Sequence, residues 1–177
     1  VNRWVKIYKG VKAISAGEGH SLVVTKRGRL MVAGFNEHGQ LGTGDKKNRN
    51  RWTRVLDGVK AVSAGIDHSL VLKRNGELFA AGSNEYGQFG IEKAKGSLTL
   101  VPVLKNVIDF DCHNSSASLA IQKGRDLFVT GWNWSSQLGV KDEEPKTDDW
   151  ESMSWGEEEL AHQYEWVRAM KKVVQVA

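Results

Sequence analysis

Val11-Lys-Ala-Ile-Ser-Ala-Gly17-Glu-Gly-His20-Ser-Leu-Val23 returns 48 residues later as Val59-Lys-Ala-Val-Ser-Ala-Gly65-Ile-Asp-His68-Ser-Leu-Val71. Ten of the thirteen positions are identical. The offset continues downstream, where Gly34-Phe-Asn36-Glu-His-Gly39-Gln40-Leu-Gly42 falls on Gly82-Ser-Asn84-Glu-Tyr-Gly87-Gln88-Phe-Gly90. A fixed period of this length marks a repeat architecture in which each unit is one supersecondary element.

A third copy is weaker. Gly131-Trp-Asn133-Trp-Ser-Ser-Gln137-Leu-Gly139 keeps the second half at an offset of 49. Val107–Cys112 replaces the opening strand, but the glycine has become His113 and the repeat histidine Ala117. Trp166-Val-Arg-Ala-Met resembles Trp4-Val-Lys-Ile-Tyr, so the chain enters a further copy at Trp166. From Leu100 to Trp166 is 66 residues, 18 more than one period, which predicts an insert between Val140 and Glu165. The divisions are repeat one over 11–58, repeat two over 59–106, and repeat three over 107–165 with its insert at 141–164. Residues 1–10 and 166–177 belong to flanking repeats.

Within each period the pattern is β. Leu22 and Val24 alternate with polar or small residues, and Leu30–Gly34 and Leu78–Gly82 read as returning strands. Arg27-Gly28 and Asn75-Gly76 lie between apolar runs, where a tight hairpin calls for positive φ. A fourth strand runs through Trp52–Leu56 and Leu100–Leu104. Four short strands per period make one four-stranded antiparallel blade of an all-β propeller.

The chain has 177 residues, with 40% hydrophobic and 26% charged side chains, as in an ordinary globular protein. No apolar run approaches the roughly 18 residues of a membrane helix. Cys112 stands alone, so no internal disulfide forms; with no signal-peptide pattern, an intracellular location, cytoplasmic or nuclear, is expected. The net charge of +4 is unevenly spread: basic residues dominate 1–58, and acidic ones dominate 141–177.

The block Ala-Gly-x-x-His-Ser-Leu, then a glycine turn, then Gly-x-Asn-x-x-Gly-Gln-Leu/Phe-Gly resembles the repeat of the regulator of chromosome condensation family. The resemblance covers residues 1–140 and 166–177. It implies a seven-bladed propeller, of which three and a third repeats are present. The remaining blades are expected from the full chain or by association.

The repeated residues read as blade-makers. Gly17, His20, Gly34, Asn36 and Gln40 recur as Gly65, His68, Gly82, Asn84 and Gln88, and Gly131, Asn133 and Gln137 extend the series. A side chain required in every blade answers a structural need: histidine bonding in the core, amides capping tight loops, glycine permitting close approach. Trp4, Trp52 and Trp166 share one phase and read as blade packing. The five histidines show no short zinc-ligand spacing, and Gly-x-Asn-x-x-Gly lacks the context of a phosphate loop. No metal, cofactor or catalytic residue is assigned.

Function is sought where the repeat fails. The insert sets Asp148 and Asp149 beside Trp150, Met153, Trp155 and Tyr164, a composition suited to a protein interface. Ser154 and Glu157 have capping-box spacing, which predicts a short helix over 155–164. Lys46, Lys47, Arg49 and Arg51 form a basic loop, read either as a solvated connection or as a contact for nucleic acid or an acidic protein surface. Three functions follow. The first is a protein-interaction propeller presenting rim loops. The resemblance implies a second, guanine-nucleotide exchange on a Ran-like small GTPase. The third is chromatin or nucleic-acid association through the basic loop.

Overall fold

The computed structural model describes residues 3–91, 95–140 and 162–171, with 162–165 as backbone only. Strands β1 (Val11–Ala16), β2 (His20–Thr25), β3 (Leu30–Gly34) and β4 (Arg49–Leu56) form the first sheet in sequential order. The second repeats it with β5 (Val59–Ala64), β6 (His68–Lys73), β7 (Leu78–Ser83) and β8 (Gly96–Leu104). The third holds β9 (Val107–Asp111), β10 (Ala117–Gln122), β11 (Leu127–Trp132) and β12 (His162–Met170). All neighbours are antiparallel, and the described residues contain no helix.

The hairpins set the register. Gly28 and Gly76 turn at φ 79° and 86°, closing the pairs Val24↔Leu30 and Leu72↔Leu78. In the third sheet Arg125 takes φ 63° and closes Ile121↔Leu127.

The core lies between sheets, as two-faced burial demands. Leu22, Val24, Leu30, Val32 and Leu41 of the first sheet meet Val59, Ala64 and Val71 of the second. Leu70, Leu72, Leu78, Ala80 and Phe89 in turn meet Val107, Phe110, Cys112 and Ala120 of the third. The first strands of successive sheets adjoin: Ala64 N donates to Ser15 Oγ at 3.0 Å, and Ser63 Oγ to Asp111 Oδ1 at 2.7 Å. Fourth strands close the junctions further out. A Cβ on Gly42 would lie 3.1 Å from Leu100 Cγ, and one on Gly90 would collide with the Trp166 ring at 2.3 Å.

Alternating strand direction gives each blade two ends. The β1–β2 and β3–β4 connections and their counterparts share one end, which carries the repeat signature. The β2–β3 hairpins and the links between blades share the other.

Three sequence expectations change. Residues 166–170 lie in β12, which pairs with β11 and completes the third blade rather than opening a flanking repeat. The proposed helix over 155–164 meets strand at His162–Tyr164, because β11 pairs from Trp132↔His162 onward; 155–161 lies outside the described residues. Trp4 is fully exposed, at 104%, and packs against no blade among the described residues. Trp52 is half-buried with Tyr8 edge-on at 6.3 Å, and only Trp166 packs between blades.

Candidate partner-binding face

Signature side chains build the loops of the first-named end. Asn36 is buried; its Oδ1 accepts from Leu41 N at 2.9 Å, while its Nδ2 donates to Asp45 O at 2.7 Å and Lys47 O at 3.2 Å. Asn84 joins Phe89 N at 2.7 Å to Ile91 O at 3.2 Å, and Asn133 joins Leu138 N at 2.9 Å to Val140 O at 3.2 Å. Gln40, Gln88 and Gln137 accept from the amides of His38, Tyr86 and Ser135 at 3.1, 2.9 and 2.9 Å. Gln40 and Gln88 are buried under the next blade; Gln137, in the last described blade, is exposed. These bonds satisfy backbone groups that a tight loop would otherwise strand.

The histidines join blade to blade. His20 Nε2 lies 2.8 Å from Ser69 Oγ, whose hydroxyl donates to Gln40 O at 2.7 Å. The next junction repeats this with His68 Nε2, Ser118 Oγ at 3.1 Å and Gln88 O at 2.7 Å. Because each serine proton is spent on the carbonyl, each imidazole donates from Nε2 and leaves Nδ1 bare and without a hydrogen-bond partner. Burial lowers the His20 pKa to about 4. Burial, aided by the nearby His20, lowers that of His68 to about 3. Both rings are therefore neutral at physiological pH.

The signature glycines follow from this contact. A Cβ on Gly65 would sit 2.4 Å from His68 Cε1 and 2.6 Å from Ser115 O, and one on Gly17 2.2 Å from Gly65 O. Gly82, at φ 109°, has Asp67 O 2.2 Å from the same point. The third copy loses both partners together: Ala117 brings no ring, so His113 meets no collision.

Of the basic loop, Arg49 on β4 is bound to Asp45 at 2.8 Å. That hydrogen bond, with one from the Lys47 backbone, lowers the Asp45 pKa to about 2. Lys46 and Lys47 are exposed beside it, and Arg51 lies further along β4. Lys46 shares with His38, Lys95 and Glu85 a rim cleft of about 260 Å³ between the first two blades.

The sequence reading assigned no interface role to the aromatics of this end. Tyr86 and Trp132, from adjacent blades, stack at 5.4 Å with their planes 23° apart. Trp132 and Trp134 are 37% and 54% exposed. Repeat phase gives no signal for the pair, because Tyr86 stands two residues after Asn84 whereas Trp132 stands one residue before Asn133. Asp148, Asp149, Trp150, Met153 and Trp155 lie outside the described residues, and Tyr164 lies on β12, where only backbone is described. Among the described residues no cluster of three or more histidine, cysteine or acidic side chains is arranged to hold a metal ion. Among the described residues no helix is long and apolar enough to cross a membrane.

Comparisons with known proteins address the repeat. A family model described as Regulator of chromosome condensation (RCC1) repeat matches residues 11–40 and 59–88, and a second of the same description matches 27–72. A search of curated proteins finds no match. Human WBSCR16 superposes with a TM-score of 0.70 at 18% identity, covering 94% of this chain and 39% of that one. Yeast RCC1 (Prp20), bound to Kap60, gives 0.72 at 20% identity over 90% of this chain and 37% of that one. Prp20p from Saccharomyces cerevisiae gives 0.69 at 19% identity over 90% and 38%. The chain thus spans about two fifths of the length of these structures, and at such identities the likeness concerns the fold. With that repeat matched across 11–88, the chain contains regulator of chromosome condensation repeats, and its blades share the fold of these propellers.

Proposed function

We propose that the signature end of this arc is the docking surface of a protein-interaction propeller. The observation that carries the reading is the exposed Tyr86–Trp132 stack, with Trp134 exposed two residues further on, at an end whose loop backbone the buried Asn84 and Asn133 fix. Rigid aromatics lose little conformational entropy on binding and supply most of the energy of protein interfaces. The β11–β12 connection leaves this same end after Val140 and returns at His162, so Asp148, Asp149, Trp150, Met153, Trp155 and Tyr164 extend the surface in this proposal. Further blades of the same repeat, from the full chain or by association, would cover two faces. One is that of the first blade, where Ile14 is 73% exposed; the other is that of the third, where nothing lies within 4 Å of a Cβ on Gly139.

The test compares the full chain with Trp132→Ala/Trp134→Ala and Trp150→Ala/Trp155→Ala in affinity capture, with thermal melts alongside. Loss of a partner at unchanged melting temperature is expected; capture of the same partners by both variants overturns the reading. Prp20p is described together with its binding to Gsp1p and histones, so a small GTPase is the first partner to try. Accelerated release of labelled guanine nucleotide by the full chain would narrow the function to exchange. No acceleration would remove that narrower reading and leave the docking surface to the capture test.

A further inference from the structure

The rim cleft of about 260 Å³ between the first two blades has walls that the repeat holds in place. On the first blade the Asn36 side chain donates to Asp45 O at 2.7 Å and Lys47 O at 3.2 Å, so the backbone is pinned on both sides of Lys46. On the second, Asn84 N donates to Lys95 O at 3.0 Å and Ser83 N to Asp67 O at 2.8 Å. The blades are tied where they meet. Gly44 N donates to Leu98 O at 2.8 Å, and Thr43 bridges Thr99.

Charge in the cleft is not balanced from within. Lys46 and Lys95, one from each blade, line it together with Glu85, and all three are exposed. Two ammonium groups thus stand against one carboxylate. The neighbouring acids are engaged elsewhere. Asp45 binds Arg49 at 2.8 Å, and Asp67 accepts from Gln40 Nε2 at 3.3 Å and lies 3.9 Å from His38 Nε2. Among the described residues neither Lys46 nor Lys95 has an ion-pair partner. The cleft is therefore short of one negative charge, and its size narrows what supplies it. A volume of about 260 Å³ lies below the range of pockets that enclose whole small molecules, and it admits a side chain. One missing charge matches the monoanion of a carboxylate better than the more highly charged phosphoryl group.

The loop between β7 and β8 joins this cleft to the aromatic surface. Glu85 lines the cleft, and Tyr86, the next residue, stacks on Trp132 of the third blade. We propose that the cleft is an acidic-residue pocket, which receives the aspartate or glutamate side chain of a partner segment whose apolar residue rests on the Tyr86–Trp132 stack. The pocket rests on the reading of this end as a docking surface, and it adds the chemistry of the partner. Lysine suits the task, because a compact ammonium pairs with a carboxylate oxygen without the fixed two-pronged geometry of arginine. With both lysines mounted on pinned backbone, the ordering cost of binding falls mainly on their side chains.

The experiment selects a displayed library of short random peptides on the full chain. Selected sequences are expected to carry aspartate or glutamate at one fixed distance from an apolar residue. By fluorescence anisotropy, Lys46→Gln/Lys95→Gln is expected to weaken the tightest selected peptide at least about tenfold. Replacing the peptide's acid by its amide should cost the parent chain about as much and cost the lysine variant little. Glu85→Gln, which removes a like charge, is expected to tighten binding about twofold, and it reads the pocket independently of the lysine variant. Lys26→Gln/Lys123→Gln, at the hairpin end, should stay within about twofold of the parent chain. Thermal melts check folding. The proposal is overturned if no peptide is selected, if no acidic position emerges, or if the lysine variant binds as tightly as the parent. It is also overturned if phosphoserine in place of the peptide's acid binds more tightly through the same lysines. Binding lost in Trp132→Ala/Trp134→Ala but kept in the lysine variant refutes the pocket alone. Binding lost in the lysine variant but kept in the tryptophan variant refutes the aromatic surface and leaves the pocket standing.

Discussion

Acidification from pH 7.5 to pH 5 should destabilise the fold through its two inter-blade histidines. Both are held neutral, with pKa values of about 4 for His20 and about 3 for His68, against about 6.5 in an unfolded chain. A lowered folded-state pKa means that the unfolded chain binds the extra proton first. The histidine contribution is therefore intact above pH 6.5 and declines as pH falls toward 4. At pH 5 the linkage integral gives about 2 kcal/mol for each residue, hence about 4 kcal/mol together. That is a large share of the stability of an ordinary domain. The structural cause is concrete: protonation adds charge to a ring whose Nδ1 faces no acceptor and whose Nε2 proton is already given to serine. Asp45 and Asp57 act elsewhere on the pH scale, since hydrogen bonds from Arg49 and Arg54 hold them below the usual carboxylate range and their contribution is lost only below about pH 4. Urea unfolding of the full chain at constant ionic strength, at several pH values across this window, measures the loss. His20→Gln/His68→Gln should be less stable at neutral pH and should flatten this acid limb. An acid limb equally steep in the double variant, or absent from the parent chain, would refute the neutral-staple assignment.

Other substitutions probe the same junctions. Gly65→Ala drives a methyl into the His68 ring and Ser115 O, so a cost of about 2 to 4 kcal/mol is expected by denaturant titration. Combining it with His68→Ala should recover part of that loss, as His113 with Ala117 implies. Asn84→Ala strands Phe89 N and Ile91 O and should cost about 1 to 3 kcal/mol, read as a shift in urea midpoint without a change in slope. Trp166→Ala empties the ring contact over Gly90 and should cost about 3 kcal/mol.

The repeat phase made the blades legible because strand alternation and hairpin glycines are local. Leu22, Leu30 and Leu41 recur as Leu70, Leu78 and Phe89, and each set forms one buried face. The bond from His20 to Ser69 was less legible. The two residues are 49 apart, close to one full period, but a period alone does not say which neighbour a side chain reaches. The misread of 166–170 has a related cause. Trp166 aligns with Trp52 as well as with Trp4, and only the pairing of β12 with β11 says which copy it completes.

The placement of basic residues shows what the repeat conceals. Along the sequence, basic residues concentrate before residue 58, which points to Lys46–Arg51 as a cationic site. The fold redistributes them: Asp45 occupies Arg49, and the loop stands among acids, whereas Arg27, Arg74 and Arg125 from three repeats share one end. No run of basic residues marks that surface, because antiparallel strands return every second connection to the same side. A propeller therefore assembles a surface from positions one period apart. Charge in such a chain is better summed by repeat phase than by sequence window.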